Sequence, residues 1–314
     1  MSENFESDSP AVPISSDERL MAALAHGSVV VSFFGPAAPM LIWVFQRRKS
    51  SYVAFHALQA MGYQMLAFWV GAAAYLLFFV LLMAVVMPAL AIFAQKENSA
   101  IGMLLFEGSF FLSFFGFMAV YFLVGIVGAI FSLMGKDFKV PFLGKWLARY
   151  LGRGEEPLAP LDETKAEQWA AGVCHGSAIL LIWGIFTPLI AWLAEKDKSP
   201  RLRFQSMQAF VYQLLAAVAY FGYMFVYMFM FMGLFVVVLF RPRLGDMHDN
   251  SLLLLVILVF IGIMTLFFLF FMLVIPLYHL FAMIAGIRTV QGREYRYPLL
   301  GNFLMRRFGD KPGG

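Results

Sequence analysis

HGSVVVSFFGPAAPMLIWVFQRRKS, His26 to Ser50, is apolar enough to enter a bilayer, yet it carries Gly35-Pro36 and Pro39 at its centre. A proline lacks a backbone N–H and disfavours helix at the residue before it, so this stretch is expected to bend. The plan returns as HGSAILLIWGIFTPLIAWLAEKDKS, His175 to Ser199, with Gly184 and Pro188 kept and Ile185 where Pro36 stands. Extended to Gln64 and Gln213, the two copies align without a gap, and about a third of the positions are identical. A second matching block closes each copy: GKDFKVPFLGKWLARYLG from Gly135 and GREYRYPLLGNFLMRRFG from Gly292. Two blocks in one order make a tandem duplication.

The organisation follows. Residues 1–16 read as a disordered acidic tail, 17–152 as the first membrane repeat and 153–161 as a Pro/Gly-rich charged linker. Residues 162–309 form the second repeat, and 310–314 a short tail. The Ser-rich, acidic start has no basic region before an apolar core, which argues against a cleaved secretory leader.

Composition sets the class. With 61% hydrophobic and 13% charged residues, the chain cannot present a polar surface to water. Its long unalternated apolar runs predict an all-α integral membrane protein and exclude a β-barrel, whose strands alternate. The single Cys174 excludes a disulfide framework and a multi-cysteine metal site.

Each repeat offers an opening apolar stretch and a pair of long ones. The pairs run from Leu58 to Ala94 and Ile101 to Met134, then from Ala209 to Phe240 and Leu252 to Gly286, with Pro88 and Pro276 as kinks or ends. A crossing needs about 20 residues, so these suffice. Lys and Arg mark the cytoplasmic side. If both opening stretches cross, the basic residues divide almost evenly. If both dip and return, all 23 Lys and Arg except Lys96, Arg241 and Arg243 share one side. Each repeat is therefore expected to hold a Gly/Pro-broken re-entrant helical hairpin, two transmembrane helices and an interfacial amphipathic helix. Gly35, Pro36, Pro39, Gly184 and Pro188 make the bends. Termini and linker are then cytoplasmic, in a bacterial-type inner membrane.

The motifs carry a resemblance. His26-Gly-Ser28, Pro39 to Trp43, Lys49-Ser50, Phe55 to Gln59-Ala60 and Gly135 to Pro141, each repeated, resemble a bacterial membrane domain of unknown function. That domain is related to the Tic-twenty component of chloroplast import and to the magnetosome proteins MamF and MmsF. The resemblance implies a multi-pass helical fold and, by analogy, a channel or protein-translocation component. The tandem arrangement departs from the usual single-domain members.

The residues themselves point elsewhere. His26 and His175 recur beside Gly-Ser and, with Gln59, Gln64, Gln208 and Gln213, form a candidate polar core between helices. Arg47, Arg48 and Lys49, and Lys198, Arg201 and Arg203, flank the turns before two helix starts, where Ser50 or Ser51 and Ser199 fit N-caps. Lys145 and Arg149 lie opposite Phe142, Leu143, Trp146, Leu147, Tyr150 and Leu151; Arg306 and Arg307 repeat the plan. These ten basic residues are candidate contacts for anionic lipids. Glu107 is expected near the outer end of its helix. No nucleophile–base pair, phosphate loop or metal motif stands out, so no cofactor or enzymatic activity is expected, and no nucleic-acid module is present. The reading is a scaffold that organises lipid or a membrane assembly, with a membrane-protein partner or a second copy of the chain as possible associates.

Overall fold

Many of the helices start at a serine or near a proline, for reasons readable in the residues. The computed structural model describes residues 13–86, 88, 99–240 and 251–308, all helix, turn or irregular chain, with no strand among them. Residues 1–12 of the expected tail 1–16, the tail 310–314, and Lys96, Arg241 and Arg243 lie outside the described residues. The chain divides into two units, Met1–Ala170 and Ala171–Gly314.

In the first unit, α1 (Ser16–Gly27) opens with a capping box: Ser15 accepts from the Glu18 N–H, and the Glu18 side chain accepts from the Ser15 N–H. A 3-10 segment, Ser28–Phe34, is broken at Val31 and turns at Gly35, whose φ is 48°. Then α2 (Ala37–Gln46) packs beside α1, and both lie on α3 (Ser51–Leu81). Pro39 sits in the first turn of α2, where the N–H it lacks has no helical acceptor, so it costs no hydrogen bond. A π-turn (Leu82–Val86), α4 (Ser99–Leu133) and the short α5 (Leu143–Tyr150) complete the unit, with α1 packed on α4.

In the second unit the chain passes from α6 (Glu163–Gly176) through a 3-10 segment, Ser177–Ile185, into α7 (Phe186–Glu195). Then come α8 (Pro200–Phe240), α9 (Ser251–Val290) and α10 (Leu300–Phe308). The turn is made differently here. Leu181, at φ 51° and ψ −119°, takes the left-handed backbone that Gly35 takes in the first copy. Gly184 serves close approach instead: the Ser177 hydroxyl donates to its carbonyl at 3.0 Å, and a Cβ there would fall 2.1 Å from the Ser177 carbonyl oxygen. Residues seven apart in a straight helix stand about 10 Å apart, so the chain doubles back here. Pro188 repeats the first-turn placement of Pro39.

The long helices start at Ser51 and Pro200, at the serine caps expected from the sequence and ahead of the apolar runs that begin at Leu58 and Ala209. Ser50 and Ser199 cap the N–H groups of Val53 and Leu202, both at 3.2 Å, and the polar residues after them are satisfied by tertiary partners. The division between the two units falls inside α6, between Ala170 and Ala171. The start of α6 belongs to the first unit because Trp169 Nε1 donates to the Leu58 carbonyl at 2.9 Å and Arg47 pairs with Glu167 at 2.9 Å.

Five helical stretches are long and apolar enough to cross a membrane: Ser51–Val85, Glu107–Leu133, Glu163–Glu195, Pro200–Val236 and Ile257–Val290. Glu107 stands where the second begins. The third contains the doubled-back segment, and α9 runs through Pro276. None of the apolar window of Ile257–Val290 is buried. Apolar faces of that extent require a lipid solvent.

Candidate functional site: paired polar nodes

Each unit ties its broken opening helices to its long helices through buried polar side chains. In the first, Ser28 Oγ donates to the Ala25 carbonyl at 2.8 Å and accepts from Gln64 Nε2 at 2.9 Å. In the second, Ser177 Oγ donates to the Cys174 carbonyl at 2.9 Å, and Gln213 Nε2 reaches that carbonyl at 2.8 Å and Ser177 Oγ at 3.3 Å. The amide thus satisfies a carbonyl freed where the helix breaks, which is where a buried backbone group most needs a partner.

Gln59 and Gln208 clamp the extended chain that follows α4 and α9. Gln59 Nε2 donates to the Phe138 carbonyl at 3.0 Å, and its Oε1 accepts from the Val140 N–H at 2.8 Å. Gln208 treats Tyr295 and Tyr297 alike, at 3.1 and 3.0 Å. Both glutamines are fully buried. Gly144 and Gly301 make room: a Cβ on either would lie 2.3 or 2.5 Å from the glutamine Oε1. Tyr63 and Tyr212 add one more shared tie, donating to the Tyr121 and Tyr278 carbonyls at 2.8 and 3.0 Å.

The histidines occupy matching places with different partners. His26 Nε2 meets His56 Nδ1 at 3.1 Å; His175 Nε2 meets Gln205 Oε1 at 3.0 Å. His175 Nδ1 also meets the Tyr297 hydroxyl at 3.0 Å. The first unit has Val140 where the second has Tyr297, and His26 Nδ1 is left without a partner. Beyond His56 lies Asp137, 3.7 Å from its Nε2 and held by Arg153 at 2.8 Å. Arg153 Cζ lies 3.9 Å from the centre of the Phe55 ring. The first node therefore ends on an ion pair, the second on a neutral amide and phenol. Burial, with Tyr212, Tyr278 and Tyr295 nearby, pushes the Tyr297 hydroxyl well above the usual phenol range, so it stays neutral.

All six expected polar-core residues are buried in these nodes: His26, Gln59 and Gln64 in one, His175, Gln208 and Gln213 in the other. His56, Asp137, Arg153, Gln205 and Tyr297 were missed. His56 and Gln205 were findable as polar positions one helical turn before the paired glutamines; Arg153, in the linker, gave no such signal. Among the described residues no group of three or more His, Cys, Asp or Glu side chains converges on a metal-sized site.

The basic residues scatter. Arg47 is buried, paired with Glu167 and set over Trp43 at 4.9 Å, so its charge is used inside the fold. Lys198 stands 3.7 Å from the buried Glu195, and Arg201 donates to the Gly292 carbonyl. Arg48 and Lys49 line a cleft at the start of α3; Arg203 lies in the first turn of α8. Lys145, Arg149, Arg306 and Arg307 are exposed on α5 and α10. Each of those helices docks one large side chain, Leu147 or Leu304, beside a buried glycine. Each is preceded by an apolar residue at positive φ, Phe142 (60°) and Leu299 (63°), and in each the next N–H bonds back across that residue to a proline carbonyl at 2.7 Å. This tight turn is strained for a residue with a Cβ. It leaves Phe142 97% and Leu299 89% exposed.

Comparison with curated proteins and with solved structures gives no match. A family profile described as the magnetosome magnetite crystal formation protein family matches residues 17–147 and again 166–244, one segment in each repeat. On that coverage, the chain belongs to the magnetosome magnetite crystal formation (MamF/MmsF) protein family.

Proposed function

We propose that this protein is a non-enzymatic, multi-pass membrane scaffold that organises lipid and a membrane assembly where a mineral, magnetite in the family's description, is formed. One observation carries the reading: the glutamine amides of both nodes are bonded to the fold's own backbone, while long apolar helix faces and the turn residues Phe142 and Leu299 stand outward. A catalyst needs a reactive group open to substrate; a scaffold needs rigid joints and an adhesive surface.

In this reading both hairpins dip into the bilayer and return, and α3, α4, α8 and α9 cross. The doubling back at Ser177 and Gly184 and the one-sided distribution of Lys and Arg support it. Linker, α5 and α10 then lie on the cytoplasmic face of the inner membrane. There Lys145, Arg149, Arg306 and Arg307 meet anionic headgroups, each contributing about 1 kcal/mol.

Two measurements test this. Single cysteines replacing Lys96, Glu155 and Lys196 are probed with a membrane-impermeant maleimide, the native Cys174 being buried. Labelling of Lys96 only from outside, and of the other two only from inside, is expected. External labelling at Lys196 with internal labelling at Glu155 overturns the hairpin arrangement. In magnetite-forming cells, deleting the gene should alter crystal size without abolishing iron uptake. Unchanged crystals, or ion flux through proteoliposomes, would overturn the scaffold, and flux would favour the pore that the Tic-twenty-like resemblance implies.

A further inference from the structure

In the first unit a cleft of about 450 Å³ opens between the C-terminal end of α2, the N-terminal end of α3 and the start of α6. Trp43, Arg47, Arg48, Lys49, Ser51 and Glu163 are among its walls. Three cations face one carboxylate, so the lining is net positive. Ser50 serves the N–H groups of Val53 and Ala54. Those of Ser51 and Tyr52 stand ahead of the helical ladder, as at every helix start, with the positive end of a 31-residue helix behind them.

A helix start with basic neighbours is common and alone identifies nothing. The second observation is Trp43. It is fully buried, it lines the cleft, and its indole Nε1–H has no hydrogen-bond partner in the fold. A buried donor without an acceptor is destabilising, and a ligand oxygen in the cleft that bonds it removes that penalty. The indole is fixed: Arg47 lies over its ring and is itself tied to Glu167. Arg48 is held loosely, 3.7 Å from Glu163 with both side chains more than half exposed. Exposed pairs of that kind are worth little and exchange readily for a better anion.

We propose that this cleft is a phosphate site, in which Arg48, Lys49 and the α3 N-terminus supply charge and Trp43 Nε1 donates one fixed hydrogen bond. The phosphate belongs to a lipid headgroup or is free in solution. In the second unit Lys198 stands 3.7 Å from the buried Glu195, and Arg201 donates to the Gly292 carbonyl. The inference depends on the membrane reading only for the lipid source; inorganic phosphate tests the cleft without it.

The test uses the full chain. Inorganic phosphate is titrated into detergent-solubilised protein by calorimetry. In parallel, protein reconstituted in phosphatidylcholine with and without phosphatidylglycerol is assayed for retained phosphatidylglycerol by native mass spectrometry. R48Q/K49Q removes two exposed charges, W43F removes the N–H together with one ring of the indole, and R293Q/R296Q, two exposed arginines beyond α9, is the control. Each of the first two should weaken binding about tenfold, the equivalent of one charge-assisted hydrogen bond, and the control should not. Loss in the inorganic phosphate titration identifies free phosphate, and loss only of retained phosphatidylglycerol identifies the headgroup. If R48Q/K49Q binds both probes as the unsubstituted protein does, or the control loses as much, the site is overturned. The exposed double variant keeps the test decisive should W43F fold poorly.

Discussion

Replacing Gln59 with leucine removes a side chain that makes two bonds to one stretch of backbone, at 3.0 Å to the Phe138 carbonyl and 2.8 Å from the Val140 N–H. Leucine fills nearly the same space, so the cavity contribution is small. What remains is a carbonyl and an N–H, with Val140 buried, facing a hydrocarbon. Each orphaned group costs about 1–3 kcal/mol, so the pair should cost about 2–6 kcal/mol. That is a large part of the ~5–15 kcal/mol by which a folded domain exceeds its unfolded state. Gln208→Leu should cost less, because Gln205 Nε2 also donates to the Tyr295 carbonyl, at 3.2 Å, and only the Tyr297 N–H is orphaned. The assay is denaturant or thermal unfolding of the full chain in one detergent. Thr265→Val is the control: its exposed hydroxyl bonds only to its own helix, at the Ile261 carbonyl, and its loss should stay within about 0.5 kcal/mol. If Gln59→Leu unfolds within about 0.5 kcal/mol of the parent, the glutamine clamps are not what joins the extended segments to the long helices.

Gly144→Ala and Gly301→Ala should each lose about 1–3 kcal/mol in the same assay, since the new methyl group meets the clamp oxygen and the Lys139 or Arg296 backbone. Gly262→Ala, where a Cβ meets nothing, should be neutral or stabilising by up to about 1 kcal/mol. Tyr297→Phe should cost about 1–2 kcal/mol by removing the partner of His175 Nδ1. An equal stability for Tyr297→Phe would mean that water replaces the hydroxyl. Hydrogen bonds from Ser50 and then Ser15 hold the Glu18 carboxyl below the usual carboxylate range, against the opposing effect of burial. Its contribution is therefore complete above the ordinary glutamate range near neutral pH and fades as pH falls through the lowered value. Glu18→Gln should flatten that acid limb of a stability–pH curve, and an unchanged limb would remove Glu18 from the account.

The duplicated halves were legible because both copies keep residues whose roles are local. Ser50 and Ser199 cap helices, and Pro39 and Pro188 fit first turns. Gln59 and Gln64, with Gln208 and Gln213, sit at the same register from their caps. Local roles leave local signatures. The bend itself was only half legible. Gly35-Pro36 announces a turn, but the second copy turns at Leu181, a residue that ordinarily avoids positive φ and adopts it here because Ser177 and Gly184 are drawn together from either side. Partnerships across long separations were not legible. Nothing near Arg153 in sequence points to Asp137 and the Phe55 ring, and nothing near Trp169 points to the Leu58 carbonyl.

Composition and periodicity, properties of the chain read one window at a time, determined that this is a helical membrane protein written twice. Tertiary packing decided which charges are available. It drew Arg47 inside against Trp43 and Glu167, left Arg48 and Lys49 at a cleft, and gave one histidine a second histidine and the other an amide and a phenol. The physical reason is that a polar side chain in a nearly waterless interior takes its state from the partner that reaches it, and that partner comes from another helix.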